Sequence, residues 1–289
     1  MRVLVIGGGT MGAGIAQVMA EAGYGVRLVE ADEAAAGAAR ARLAHAAERA
    51  ASSGEAAGAA AAPGAIASIE VVAGIPELGD CAADLVVEAV PEDESLKRRV
   101  LAAAERRLPA GAVVASNTSS LSIAALASAL ERPERFLGMH FFNPVPRSAL
   151  VELVTGPVTS EATVESARRW VRELGKEEIV VRDAPGFATS RLGVAAGLEA
   201  VRMLEEGVAS AEDIDRGMVL GYRHPMGPLR LTDLVGLDVR LAIAEHLERT
   251  LGPRFAPPQL LRHKVAAGEL GKKAGRGFFD WSAGRPPGP

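Results

Sequence analysis

Arg2-Val3-Leu4-Val5-Ile6-Gly7-Gly8-Gly9-Thr10-Met11-Gly12 runs a short apolar segment straight into a glycine turn. An apolar run of this length, bounded by glycine, reads as a buried strand. An alanine-rich helix from about Ala13 to Ala22 follows, then a second strand over Gly25 to Glu30. Strand, glycine turn, helix and strand within about 30 residues make a βαβ unit. Gly7-x-Gly9-x-x-Gly12 has the spacing of a dinucleotide-binding turn. The first glycine permits the tight turn, the second lets backbone approach a pyrophosphate, and the third lets the helix pack on the strand. Gly7, Gly9, Met11 and Gly12 are therefore candidate cofactor-binding residues. Glu30 lies 18 residues beyond Gly12, where a carboxylate reaches the ribose hydroxyls and repels an additional 2′-phosphate. NAD is the expected cofactor. Asp32 competes for the ribose role, and Arg27 is expected to point elsewhere.

Further along, short apolar strands alternate with helical stretches. The strands are Ile69 to Val72, Asp84 to Ala89, Ala112 to Ser116, Phe136 to Met139, Leu150 to Val154 and Glu178 to Val181; Lys97 to Leu108 and Leu121 to Leu130 read as helices. Residues 33 to 67 are nearly all Ala, Arg, Glu and Gly. They read as one or two helices broken near Ser52-Ser53-Gly54 and Pro63-Gly64, or as a low-complexity linker. Strand signals stop at Asp183-Ala184-Pro185-Gly186, and helices are expected over about 187–206, 211–220, 228–250 and 258–268. The expected architecture is α/β. A Rossmann-type doubly wound sheet with a helical insertion spans residues 1–182, and an all-α domain spans 183–289.

Two loops are expected at the carboxyl edge of that sheet, where ligands bind. Glu88-Ala-Val-Pro-Glu92 follows the fourth strand, and Ser116-Asn117-Thr118-Ser119-Ser120 follows the fifth. The second offers several small donors to a ligand, caps the helix from Leu121, or does both. Past the sixth strand comes Met139-His140-Phe141-Phe142-Asn143-Pro144-Val145-Pro146, with Glu152 in the next strand. The layout brings an imidazole at the strand exit face to face with a carboxylate. A carboxylate on one ring nitrogen fixes the tautomer and stabilises the imidazolium, so the other nitrogen is the one that takes a proton. That is the equipment for deprotonating an alcohol; a structural hydrogen bond is the alternative. Asn117 and Asn143, the chain's two asparagines, both fall in these stretches.

Composition narrows the classes. The 289 residues are 48% hydrophobic and 24% charged with a net charge of −4, which does not favour a nucleic-acid partner. A single cysteine, Cys81, excludes an internal disulfide framework. No apolar run reaches the roughly 18 residues of a membrane helix, and a cytoplasmic protein is expected. No His, Cys and Asp cluster has metal-ligand spacing.

Taken together, the segments GGGTMGAGIA, DLVVEAVPE, ASNTSSL, RFLGMHFFNPVP with LVELV, DAPGF, EDID, HPMGPLRLTDLVGLD and GKKAGRGFFDW resemble the L-3-hydroxyacyl-CoA dehydrogenases, including the bacterial 3-hydroxybutyryl-CoA dehydrogenases. The resemblance spans nearly the whole chain. It implies that His140 takes the proton of the 3-hydroxyl while hydride passes to NAD, giving a 3-ketoacyl-CoA. Glu152 would orient His140, and Ser119 would touch the substrate oxygen near the nicotinamide. Asn143 would hold the nicotinamide side, with Asn117 also counted at the cofactor. Glu92, Lys97 and Lys273 match cofactor-contacting positions, with solvated surface charge as the alternative for the two lysines. The resemblance implies an acyl-CoA partner. The long apolar faces of the helical domain, residues 183–289, are expected to form a homodimer interface and one wall of a substrate crevice.

The chain departs from the pattern twice. Ser190 stands where the family carries an asparagine that binds substrate. Residues 40–70 lack the usual lysine for the CoA nucleotide, leaving Arg40, Arg42, Arg49, Ser52 and Ser53. These departures keep open a same-scaffold dehydrogenase acting on a free hydroxy acid or sugar acid. A nucleotide-sensing protein without turnover is a third reading.

Overall fold

The structure, a computed structural model, describes residues 1–52, 63–74 and 81–282. The chain divides into two compact units, Met1–Asp183 and Ala184–Pro289.

The first unit is built on an eight-stranded sheet: β1 (Arg2–Ile6), β2 (Gly25–Glu30), β3 (Glu70–Ala73), β4 (Leu85–Glu88), β5 (Val113–Ser116), β6 (Phe136–Phe141), β7 (Leu150–Thr155) and β8 (Glu177–Arg182). Their order across the sheet is β3-β2-β1-β4-β5-β6-β7-β8. The first six pair in parallel, with strand order reversing between β1 and β4, so β1 opens onto a switch point. Val3, Leu4, Val5 and Ile6 are each 0–3% exposed, which is why β1 is an unbroken apolar run rather than an alternating one. Helices α1 (Thr10–Glu21), α2 (Glu33–Ser52), α3 (Pro63–Ala67), α4 (Glu94–Glu105), α5 (Ile123–Ala127) and α6 (Glu161–Glu173) accompany the sheet. The alanine-rich stretch is helical on both sides of its undescribed middle, and the expected break at Ser53-Gly54 lies outside the described residues.

β7 pairs antiparallel with β6, and β8 runs parallel to β7. Only residues 142–149 separate β6 from β7. Eight residues cannot make the crossover that a parallel strand needs, so the chain folds straight back. β6 is also longer than expected. Instead of standing at a strand exit, His140 lies inside β6, fully within a buried run.

The glycine turn does what its spacing implies. Gly7 has φ +95, a conformation that side chains resist, and a Cβ on Gly12 would sit 1.7 Å from the Gly7 carbonyl oxygen. Gly9 has open space around it instead.

The second unit contains α7 (Thr189–Glu205), α8 (Ala211–Arg216), α9 (Pro228–Val235), α10 (Leu237–Leu251) and α11 (Gln259–Ala266). The helix expected over 228–250 is two helices, broken at Gly236, whose φ of +103 an α-helix cannot accommodate. Two buried aspartates organise this unit. Asp215 accepts hydrogen bonds from Leu229 N and Arg230 N, each 2.9 Å, at the start of α9. Asp233 accepts from Phe278 N, Phe279 N and Trp281 Nε1 at 2.8–2.9 Å, tying the carboxyl-terminal segment down. The DID, LTDLVG and GRGFFDW segments are thus largely architectural.

A Gly12→Ala protein is expected to lose about 3 kcal/mol or more of stability, because backbone rather than a movable side chain occupies the space. A lowered thermal midpoint in calorimetry checks it.

Candidate active site

The carboxyl ends of β1, β2 and β4 open into a cavity of about 980 Å³. Gly7, Gly9, Thr10, Met11, Glu30, Arg42 and Val90 are among its lining residues. Glu30 is held in place by the turn itself: Gly8 N donates to its Oε1 at 2.6 Å. Asp32 is occupied differently, its Oδ1 accepting from Ala35 N at 2.8 Å in the first turn of α2. Geometry therefore selects Glu30 over Asp32 at the cavity. Arg27 pairs with Glu70 at 2.8 Å, away from it. Three observations fit a dinucleotide: the cramped Gly7–Gly12 pair, the open approach over Gly9, and a carboxylate fixed at the end of β2.

At the neighbouring strand ends lies a buried charge network that sequence reasoning missed. Glu88 is 0% and Lys97 1% exposed. Lys97 Nζ donates to Glu88 Oε1 at 2.7 Å and to Val90 O at 3.0 Å, and lies 3.3 Å from Glu92 Oε2. Ser116 Oγ donates to the other Glu88 oxygen at 2.5 Å. Lys97 is thus no solvated surface charge. Glu92 Oε1 in turn gathers the loop after β5. It accepts from Thr118 Oγ1 (2.6 Å), Ser120 Oγ (3.0 Å), Ser119 N (3.1 Å) and Ser120 N (3.2 Å), with Ser119 Oγ at 3.5 Å. Burial pushes the Glu92 carboxyl up, but the Lys97 charge and the loop donors outweigh it and hold it below the usual carboxylate range. The loop's hydroxyls are therefore not helix caps. The helix starts later than expected, at Ile123, and its cap is Ser122, which accepts from Ala125 N at 3.2 Å.

The same loop is tied to β6 through Asn117, whose Oδ1 accepts from Phe141 N at 2.9 Å. One residue earlier is His140. It stands opposite Glu152 in the β6–β7 register, so both side chains leave the same face of the sheet. His140 Nδ1 and Glu152 Oε2 are 3.0 Å apart, with the residues 7% and 0% exposed. The Phe142 ring packs 4.4 Å from the imidazole. A buried carboxylate on Nδ1 assigns the tautomer and directs proton exchange to Nε2.

The remaining candidates stand elsewhere. Asn143 is exposed in the turn after β6. Ser190 is in the first turn of α7, and Lys273 is ion-paired with Asp238 at 2.6 Å; both belong to the second unit. In the stretch considered for the CoA nucleotide, Arg40 is engaged by Glu33 and Val71 O, and Arg42 by Gly8 O at 3.3 Å. Ser52 Oγ donates to Arg49 O at 3.2 Å. Ser53 lies outside the described residues.

The family model for the NAD binding domain of 3-hydroxyacyl-CoA dehydrogenase matches residues 2–184, and the model for its C-terminal domain matches residues 186–281. The chain belongs to the 3-hydroxyacyl-CoA dehydrogenase family. It is accordingly an oxidoreductase that uses NAD. It is similar to a 3-hydroxybutyryl-CoA dehydrogenase of Mycobacterium tuberculosis, 44% identical over 283 residues covering 97% of this chain and 98% of that protein. A mitochondrial hydroxyacyl-coenzyme A dehydrogenase of Sus scrofa is 40% identical over 97% of this chain and 91% of its own length. The crystal structure of (S)-3-hydroxybutyryl-CoA dehydrogenase PaaH1 from Ralstonia eutropha superposes with a TM-score of 0.89 at 40% identity, covering 96% of this chain and 98% of that one.

Among the described residues, no helix is long and apolar enough to cross a membrane.

Two expectations follow. Lys97→Met strands a buried Glu88 carboxylate and is expected to cost about 3–5 kcal/mol, much of it recovered by adding Glu88→Gln; chemical denaturation of the three variants checks this. Gly9→Ala should keep the wild-type thermal midpoint, since nothing crowds its Cβ, yet weaken NADH binding measured by fluorescence titration.

Proposed function

We propose that this dehydrogenase oxidises a short-chain L-3-hydroxyacyl-CoA, 3-hydroxybutyryl-CoA above all, with His140 as general base. The observation that carries the reading is the buried His140–Glu152 pair, 3.0 Å apart and facing each other across β6 and β7. NAD, when bound, supplies the hydride acceptor. His140 Nε2 takes the proton of the 3-hydroxyl as hydride leaves C3. Glu152 holds the ring in the productive tautomer and offsets the positive charge that develops on it. Ser119, held in place by Glu92, donates to the substrate oxygen and limits its rotation. Asn117 keeps that loop against the strand carrying His140, and Asn143 faces the nicotinamide side. Glu92 and Lys97 act on the cofactor side through the loop they hold. Roles for Ser190 with substrate and Lys273 with cofactor rest on the family resemblance.

The 44% and 40% identical relatives named for 3-hydroxybutyryl-CoA support the substrate class. The same-scaffold alternative, a free hydroxy acid or sugar acid, draws on Ser190, which offers a single hydroxyl where an amide offers two groups. We further propose a homodimer assembled through the second unit, whose Leu192 (71%), Leu220 (67%) and Tyr222 (75%) are strongly exposed. A cytoplasmic location completes the proposal.

Purified protein is expected to reduce NAD with 3-hydroxybutyryl-CoA far faster than with the free 3-hydroxy acid. His140→Ala should abolish turnover while NADH binding persists, and Glu152→Gln should lower kcat by about 10²- to 10⁴-fold. Equal rates on the free acid would overturn the substrate class. A His140→Ala enzyme with near wild-type kcat would overturn the base. Static light scattering after gel filtration reads the dimer.

A further inference from the structure

The chain has five lysines, and Lys176 is buried, 8% exposed, in a unit where burying an ammonium is costly. Gly175, with φ +68, ends α6 with a left-handed residue and turns Lys176 inward. Its Nζ donates to Val145 O at 2.8 Å and to Ser148 O at 2.5 Å. Both acceptors belong to the turn between His140 and Glu152, the turn that carries Asn143. In that turn Pro144 O accepts from Arg147 N and Ser148 N, each 3.0 Å. The lysine serves two further carbonyls that point inward. Val145 is 2% exposed and wedges against α1: a Cβ on Gly14 would lie 2.9 Å from Val145 Cβ. The helix that leaves the glycine turn therefore touches the turn that leaves His140, and one ammonium fixes the second against the first.

We propose that Lys176 is a positioning residue for the hydride-transfer site, setting where the Asn143 turn stands relative to the glycine helix. The proposal rests on the reading of Asn143 given above. The charge matters as well as the reach, because a cation bonds two carbonyl dipoles more strongly than a neutral amine. Burial lowers the pKa of this lysine, and Glu21 on α1 acts in the opposite direction. Of the acids on its own segment, Glu177 is exposed and Glu178 is paired with Arg172 and Arg168. Deprotonation at alkaline pH thus weakens the lock.

Lys176→Met and Lys176→Arg test it. In the Met variant, kcat per folded molecule is expected to fall about 10- to 100-fold, as for a reacting group displaced by about 1 Å. The KM for NAD should change much less, because the adenosine end is held at Glu30 and the glycine turn. In hydrogen-exchange mass spectrometry, the Arg147 and Ser148 amides should lose protection in the Met variant and keep it in the Arg variant. Wild-type kcat should fall reversibly at alkaline pH, and Lys176→Arg should move that fall upward, a reading that stands even if the Met variant does not fold. A lowered thermal midpoint with unchanged kcat and unchanged exchange overturns the proposal, as does an alkaline fall that the Arg variant leaves in place. A wild type with no dehydrogenase activity sinks the proposed function instead, and the exchange pattern then judges the lock by itself.

Discussion

The antiparallel pairing of β6 with β7 is the constraint on which the proposed chemistry of this protein depends. A parallel sheet places successive strands beside each other through helical crossovers, and every strand then ends at the same edge. Here eight residues join two strands, too few for a crossover, and the second strand runs back along the first. That reversal sets Glu152 directly opposite His140. Because side chains alternate along a strand, a slip of one residue would put the carboxylate on the other face of the sheet. The turn that makes the reversal is consequently held tightly, by Lys176 beneath it and by Val145 against α1.

At the sheet's carboxyl edge, Glu88 and Lys97 are charges taken out of water, and the exposed Glu92 joins them. Glu88, Lys97 and Glu92 form a chain of carboxylate, ammonium and carboxylate that ends on the hydroxyls and amides of residues 118–120. Buried ion pairs contribute little net stability compared with apolar packing, and breaking one partner is expensive. Their use here is geometric. They tie a loop of small polar residues to Glu92, while Asn117 joins the same loop to the strand that carries His140. The same logic appears in the second unit, where Asp215 and Asp233 each satisfy two backbone N–H groups, those of Asp233 lying more than 40 residues along the chain. Burial pushes the Asp215 carboxyl up despite those bonds.

The ledger of glycines shows how local chemistry and global shape meet. Gly12 is required by the Gly7 carbonyl and Gly7 by the Ala89 backbone and its own positive φ, whereas Gly9 is bordered by empty space. Only the second kind leaves room for a ligand, so the turn is at once a packing device and a binding surface. Gly236 is required by its positive φ; it ends one helix and begins the next within a stretch whose apolar pattern suggests a single rod.

Period and punctuation in the chain determined all eight strands, the glycine turn, the acid at the end of β2 and the change from mixed to helical structure near Asp183, because each depends on neighbours in sequence. The pairing of His140 with Glu152 was also legible, since the intervening prolines force a short return. What only the tertiary structure decided is partnership across distance: Lys97 with Glu88, Glu92 with the loop after β5, Lys176 with the turn after β6. Nothing local distinguishes a lysine bound for solvent from one bound for the interior. That choice is made when separate elements pack, and the energy of an unsatisfied buried charge or carbonyl then dictates who meets whom.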